Sequence, residues 1–166
     1  MTGALTPSPP SINGKFKFSA VVFCEGVRRE DNGKLMLLGV PGGDLLIQQA
    51  YPANVPLFAH IEGDVVEPGL FSQVFRFVDE TGAALSPPIE VKSSAPFVRG
   101  GFAVQVFASI VFQRSCTLIL QMREEGGWRE LARKAVVHEN ELISRFAPES
   151  LSELIKQSLE TLRRRS

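Results

Sequence analysis

The chain has no apolar run approaching the roughly 18–20 residues that a membrane-spanning helix needs, so membrane insertion is not expected. It has no surplus of charge either, with 18 Lys and Arg against 18 Asp and Glu. A dedicated nucleic-acid binder normally carries a basic field, so nucleic acid is not an expected partner. Near-neutrality also removes a repulsion that keeps copies apart. Cysteine is scarce, at 2 in 166 residues, and histidine equally so, at 2. There is no phosphate-cradling glycine loop, no His-Glu-x-x-His, no Gly-x-Ser-x-Gly and no paired Cys-x-x-Cys. No catalytic residue, metal ligand or cofactor is assigned on that basis, and the sequence leans against an enzyme. Residues 1–14 lack the charged and apolar regions of a secretory signal. Their Thr, Ser, Pro and Gly read as a disordered leader, and the expected location is cytoplasmic.

What is present is alternation. Residues 21–40 read as two strands folded back on one turn. Asn32-Gly33 readily supplies the two positive φ angles of a type I′ turn, and Asp31 bonds back to the turn backbone. On the way in, Phe16, Phe18, Ala20, Val22 and Cys24 share one face by period-two alternation. Val21, Phe23 and Val27 share the other with Lys17, Glu25 and Arg29. On the way back, 35–38 is an unbroken apolar run, expected to be covered on both faces. Gly26 marks a bulge or bend.

This hairpin carries a likeness to known sequences. It rests on Cys24-Glu25, on Arg28-Arg29-Glu30-Asp31-Asn32-Gly33-Lys34-Leu35, on Leu38-Gly39-Val40 and on Gly43-Asp44. Over residues 21–46 the chain resembles the opening of a family of small uncharacterised bacterial β-sandwich proteins, a domain of unknown function. The resemblance implies a sandwich fold and a bacterial source, and it implies no activity.

Further strands are expected at 45–47, 57–63, 70–78, 89–92, 102–112, 116–122 and 128–137. Pro52 and Pro56 make 48–56 a connection that cannot ladder continuously. Phe71, Phe75 and Phe77 share one face, as do Phe102, Val104, Val106, Ala108, Ile110 and Phe112. About nine short strands spaced by turns predict an antiparallel β-sandwich of immunoglobulin type, with a β-barrel as the alternative. The sandwich domain is expected over 15–138. Cys24 and Cys116 fall on core-facing positions and are expected as free thiols rather than as a disulfide.

The end of the chain changes character. Residues 139–147, with Leu142, Ile143 and Phe146, read as a linker, and 148–166 as an amphipathic helix with a basic tail. Ser150-Leu151-Ser152-Glu153 fits a capping box. Leu151, Leu154, Ile155, Leu159 and Leu162 then form one apolar stripe. Four bases against two acids after 150 make too small an excess for a polybasic membrane anchor.

Candidate functional residues are few. His60 and His138 could meet around a metal, but nothing has tight ligand spacing, and they read as surface or strand-end histidines. Asp64, Glu67, Asp79 and Glu80 read as turn chemistry rather than as calcium loops. Arg28 and Arg29 at the hairpin tip are candidate partner contacts. Trp128 reads equally as an interface anchor or a core aromatic. The function expected is a non-enzymatic protein-interaction or assembly module acting on itself, as a homodimer, or on another protein. Its stripe Leu151, Leu154, Ile155, Leu159 and Leu162 docks or self-associates. The alternative is a ligand binder or enzyme with a pocket under the loop 86–101.

Overall fold

Alternating Phe, Val, Leu and Ile favour strands because extended backbone sends successive side chains to opposite faces. The computed structural model describes residues 15–32, 34–95, 101–146 and 156–157. In chain order its strands are β1 (Lys15–Cys24), β2 (Gly26–Arg29), β3 (Leu35–Leu38), β4 (Leu45–Ile47) and β5 (Ala53–Glu67). They continue as β6 (Gly69–Val78), β7 (Ile89–Ala95), β8 (Gly101–Phe112), β9 (Cys116–Glu124) and β10 (Gly127–His138), followed by α1 (Glu139–Phe146). The protein is mainly β, as expected. The strand total exceeds the expected number because Glu25 breaks the first long strand into β1 and β2.

Three sheets result among the described residues. The first has the order β1-β5-β8, the second β4-β10-β9-β6-β7, and the third is the ribbon β2-β3. The expected all-antiparallel pairing is corrected at one edge, where β4 runs parallel to β10. Parallel neighbours need a long connection, and the whole run from β5 to β9 lies between these two.

Two local features reset the side-chain pattern. In β1, Phe18 pairs with Gly63 but Ala20 pairs with Glu62, so Ser19 is an extra residue. One extra residue flips every later side chain. Phe16 and Phe18 therefore pack on the same core as Val21 and Phe23, while Ala20 is exposed and Val22 only half-buried. The expected common face of Phe16, Phe18, Ala20, Val22 and Cys24 is corrected at this bulge. In β5, Pro56 stands opposite Ser109 within a strand, where a connection was expected. Its lost N–H is harmless because β1 reaches no further along β5 than Phe58, so β5 is a sheet edge at Pro56.

The core draws on both larger sheets. Leu57, Ile61, Val106, Ile110 and Phe112 come from the first, and Phe75, Phe77, Leu118, Leu120 and Val136 from the second. At one end Phe16 and Phe102 of the first sheet meet Phe71 of the second, with Phe16–Phe71 centroids 4.7 Å apart and Phe16–Phe102 centroids 4.6 Å apart. Gly63 makes room for this cluster. A β-carbon there would lie 2.6 Å from Phe102 Cε1 and 2.5 Å from the Lys17 carbonyl oxygen.

After β10 the stretch expected as a linker is helical, as α1. His138 caps it, its Nδ1 accepting from the Asn140 backbone N–H at 3.2 Å, and Glu139 and Glu141 favour its first turn.

Phe75 is fully buried and belongs to the core cluster drawn from both larger sheets. Phe75→Ala should lower the unfolding free energy by about 3–5 kcal/mol in urea titration. A near-neutral result would mean that Phe75 does not face the core.

Candidate interaction surface

Among the described strands, β2 and β3 join neither large sheet. The rungs of their ribbon are Gly26–Leu38, Val27–Leu37, Arg28–Met36 and Arg29–Leu35. The ladder extends one hydrogen bond at each end, from Glu25 N to Leu38 O and from Glu30 N to Lys34 O. At the tip Asn32 Oδ1 accepts from the Lys34 backbone N–H at 2.9 Å. At the base Gly39 turns the chain with φ of 62°, and a β-carbon there would collide with the Glu25 side chain.

The run 35–38 is not covered on both faces, which corrects the expectation from its composition. Met36 is 46 % exposed and Leu38 45 % exposed, while Leu35 lies at 36 %. Only Val27 and Leu37 on the opposite face are half-buried. The cause is topology: a two-stranded ribbon has no second layer of its own to cover its outward face. Val40 and Leu46, close by in the chain, are exposed to a similar degree.

Beside the ribbon base lies a cleft of about 580 Å³, lined by Glu25, Val40, Pro41, Leu46 and Leu142 among others. The Lys134 ammonium, bonded to the Pro41 carbonyl at 2.8 Å, ties this loop to β10. Glu25 and Leu46 also wall a second cleft of about 470 Å³, which ends at Asn54, Val55 and Pro56. A third, of about 630 Å³, lies between Phe16, Phe18, Phe71 and the Arg123–Glu125 turn. Residues of the loop 86–101 line none of these three, and 96–100 lie outside the described residues.

The named candidates do not converge on one place. Arg28 is exposed and pairs loosely with Glu30 at 3.5 Å, and Arg29 beside it is exposed. Trp128 sits far along the chain in β10, half-buried. It pairs with Arg123 across the ladder, and the Arg76 guanidinium lies 4.1 Å above its ring. Leu151, Leu154, Ile155, Leu159 and Leu162 lie outside the described residues. Between them Lys156 and Gln157 are helical and exposed.

The histidines separate. His60 is buried at 3 % exposure, which corrects the surface reading. Its Nε2 meets Glu62 Oε1 at 3.1 Å and its Nδ1 meets Gln105 Nε2 at 3.3 Å. Val22 and Gln105 are its neighbours across the sheet, which encloses it although the face is outward. Next to it Phe58 stacks on Phe107 at 4.7 Å. Among the described residues no three His, Cys, Asp or Glu side chains converge on a metal position.

Asp79 and Glu80 are engaged in local contacts. Asp79 Oδ1 accepts from the Thr81 hydroxyl at 2.6 Å and from the Thr81 and Ala83 backbone N–H groups at 2.9 Å. Arg114 reaches Glu80 at 3.1 Å, and Glu80 accepts from the Thr117 backbone N–H. The Thr81 hydroxyl, with the two amides and Arg114, holds the Asp79 carboxyl below its ordinary value. Both cysteines are free thiols. Burial, with Glu80 and Asp79 nearby, pushes the Cys116 thiol up to about 11, and burial also raises Cys24.

Neither a protein-family model nor a curated protein matches the chain.

The exposed apolar ribbon residues were missed because an all-apolar run reads as buried. The available signal was its length: four residues between a charged tip and Gly39-Val40-Pro41 leave little chain to cover them.

Two outcomes follow from the local electrostatics. A carboxylate depressed in the folded state contributes stability above its unfolded value and loses it as pH falls through the folded one. Asp79→Asn should therefore be less stable than the parent at neutral pH, with the gap narrowing below about pH 4. Urea midpoints across pH read this, and a gap independent of pH contradicts it. Cys116 should alkylate at pH 8 about a hundredfold more slowly than an ordinary thiol, since the thiolate is the nucleophile. Rapid native-state labelling of Cys116 would refute its suppressed ionisation.

Proposed function

We propose that this chain is a non-enzymatic protein-interaction or assembly module whose first partner is a second copy of itself. The observation that carries this reading is the uncovered ribbon, with Met36 and Leu38 about half exposed. Apolar surface left in water costs about 25 cal/mol per Å². Single exposed apolar residues need no explanation, but several together mark a contact surface. The stripe Leu151, Leu154, Ile155, Leu159 and Leu162 makes the same demand, because a helix of about fifteen residues is marginal alone in water. On this reading it docks or self-associates, and two-fold closure makes a homodimer the simplest assembly. Arg28 and Arg29 at the tip contribute polar contacts and Trp128 an aromatic one.

The same reading takes the two larger sheets as the layers of an immunoglobulin-like sandwich, a fold that agrees with the small bacterial family the hairpin resembles. Its support is the single core drawn from both sheets. The cytoplasm is its proposed location. No described helix is long and apolar enough to cross a membrane.

Light scattering on the full chain and on the variant Leu154→Asp with Leu159→Asp tests the module. A mass of two chains that falls to one, with the strand signal in circular dichroism retained, is the expected result. One chain before and after overturns self-association. A monomer whose stability collapses on substitution places the stripe in its own core instead.

A further inference from the structure

We infer that the outward face of the β2-β3 ribbon is a two-fold interface with a second copy, in which Leu38 seats on the partner copy's Gly26 and Lys34 meets its Glu30. The inference rests on the assembly reading above and names the surface that reading left open.

Strand alternation puts Gly26, Arg28 and Glu30 of one strand on the same face as Lys34, Met36 and Leu38 of the other. The rungs fix their order: Leu38 beside Gly26 and Met36 beside Arg28, then Lys34 beside Glu30, joined by a 2.8 Å backbone hydrogen bond. On this face Arg28, Lys34, Met36 and Leu38 are exposed and Gly26 and Glu30 half-buried, whereas Val27 and Leu37 on the opposite side are both half-buried. Consider a two-fold axis running along the ribbon just above that face. It keeps each rung at its own height and exchanges the two strands. β3 of one copy then lies over β2 of the other. Leu38, the large residue, meets Gly26, the small one. Met36 meets the aliphatic stem of Arg28. Lys34 meets Glu30. Every contact occurs twice, as an isologous interface requires.

Two observations favour a second copy over a foreign partner. The face is self-complementary in charge near its tip, where Lys34 just before β3 would meet Glu30 just after β2, while Arg28 within β2 would offer Met36 its aliphatic stem. It is also self-complementary in shape. A β-carbon on Gly26 would have only the Leu38 side chain within 4 Å, at 3.8 Å, so the space over that backbone is open. Competition is slight, because the Arg28–Glu30 pair is long at 3.5 Å and exposed and such pairs contribute little. The face is small beside the roughly 800 Å² per partner of a standard interface. The expected dimer is accordingly weak, with Kd on the order of micromolar.

Charge exchange tests this on the full chain, by sedimentation equilibrium across a concentration series. Glu30→Lys alone, or Lys34→Glu alone, places like charges opposite one another at both symmetric contacts. Each should raise Kd by about tenfold. An equimolar mixture of the two variants restores opposite charges between unlike chains, so a heterodimer of near parental affinity should form. The double variant Glu30→Lys with Lys34→Glu should recover the homodimer. Repulsion inside one chain cannot produce the mixing result, because mixing leaves each chain unchanged. Met36→Asp should dissociate the dimer with its strand signal intact. Parental affinity in both single variants, or no recovery on mixing, overturns the interface. If those variants dimerise normally while Leu154→Asp with Leu159→Asp gives monomers, the ribbon inference fails and the assembly reading stands. One chain at every concentration of the parent defeats both.

Discussion

The Phe102 ring occupies the space over Gly63 that a side chain would fill, and the Lys17 carbonyl closes on the same spot from the neighbouring strand. That close approach lets Phe102 lie low on its own sheet while reaching Phe16 beside it and Phe71 across the core. Any β-carbon at 63 would lift the ring or part β1 from β5. The aromatic cluster ties the two large sheets together at the end where β1 begins. Further along, the core combines Phe23, Phe77 and Phe112 with aliphatic residues, Leu57, Ile110 and Leu118 among them. Close-packed interiors tolerate little change in volume, so the glycine is as much a packing residue as the phenylalanines.

The ribbon stands in contrast. It leaves the body at Glu25, just after Cys24, which is fully buried, and returns through Gly39. Between those points its strands bond only to each other among the described residues. Elements with few buried apolar contacts open first in local unfolding. Ribbon and body are therefore expected to differ in amide exchange, the body holding protection near the global limit. A partner that covers Met36 and Leu38 would narrow that difference, which couples assembly to local order.

Much of this was legible in the sequence, because period-two alternation is a direct image of backbone geometry. Phe102 to Phe112 reads as one strand and is one, and Phe75 and Phe77 are core residues as read. Three things escaped. The Ser19 bulge inserts one residue without any composition signal, so Ala20 and Val22 leave the face they share with Phe16 and Phe18 in the sequence, whereas Cys24 is buried as expected. Pro56 argues against a strand in the sequence, yet β1 has ended by that point and β5 continues through Pro56 as a sheet edge beside β8. The 35–38 run reads as covered because its composition is apolar, whereas its exposure is set by which strand lies alongside. Of the residues proposed for contact, Arg28 and Arg29 lie on the ribbon, as the hairpin reading had them. Trp128 is in β10 beneath Arg76, a pairing across β6, β9 and β10 that no local window of sequence contains.

The position of Trp128 has a spectroscopic consequence. It is the only tryptophan, and a guanidinium rather than the hydrocarbon core lies over its ring. Its emission therefore reports the outer surface of the five-stranded sheet. A state that loosened the phenylalanine core but kept β6, β9 and β10 in register would fluoresce like the native protein. Conversely, high salt that weakens the cation–π contact would change the emission with no unfolding at all. A single-wavelength fluorescence melt would follow the fate of one sheet's exterior, and the phenylalanine interior would melt unseen.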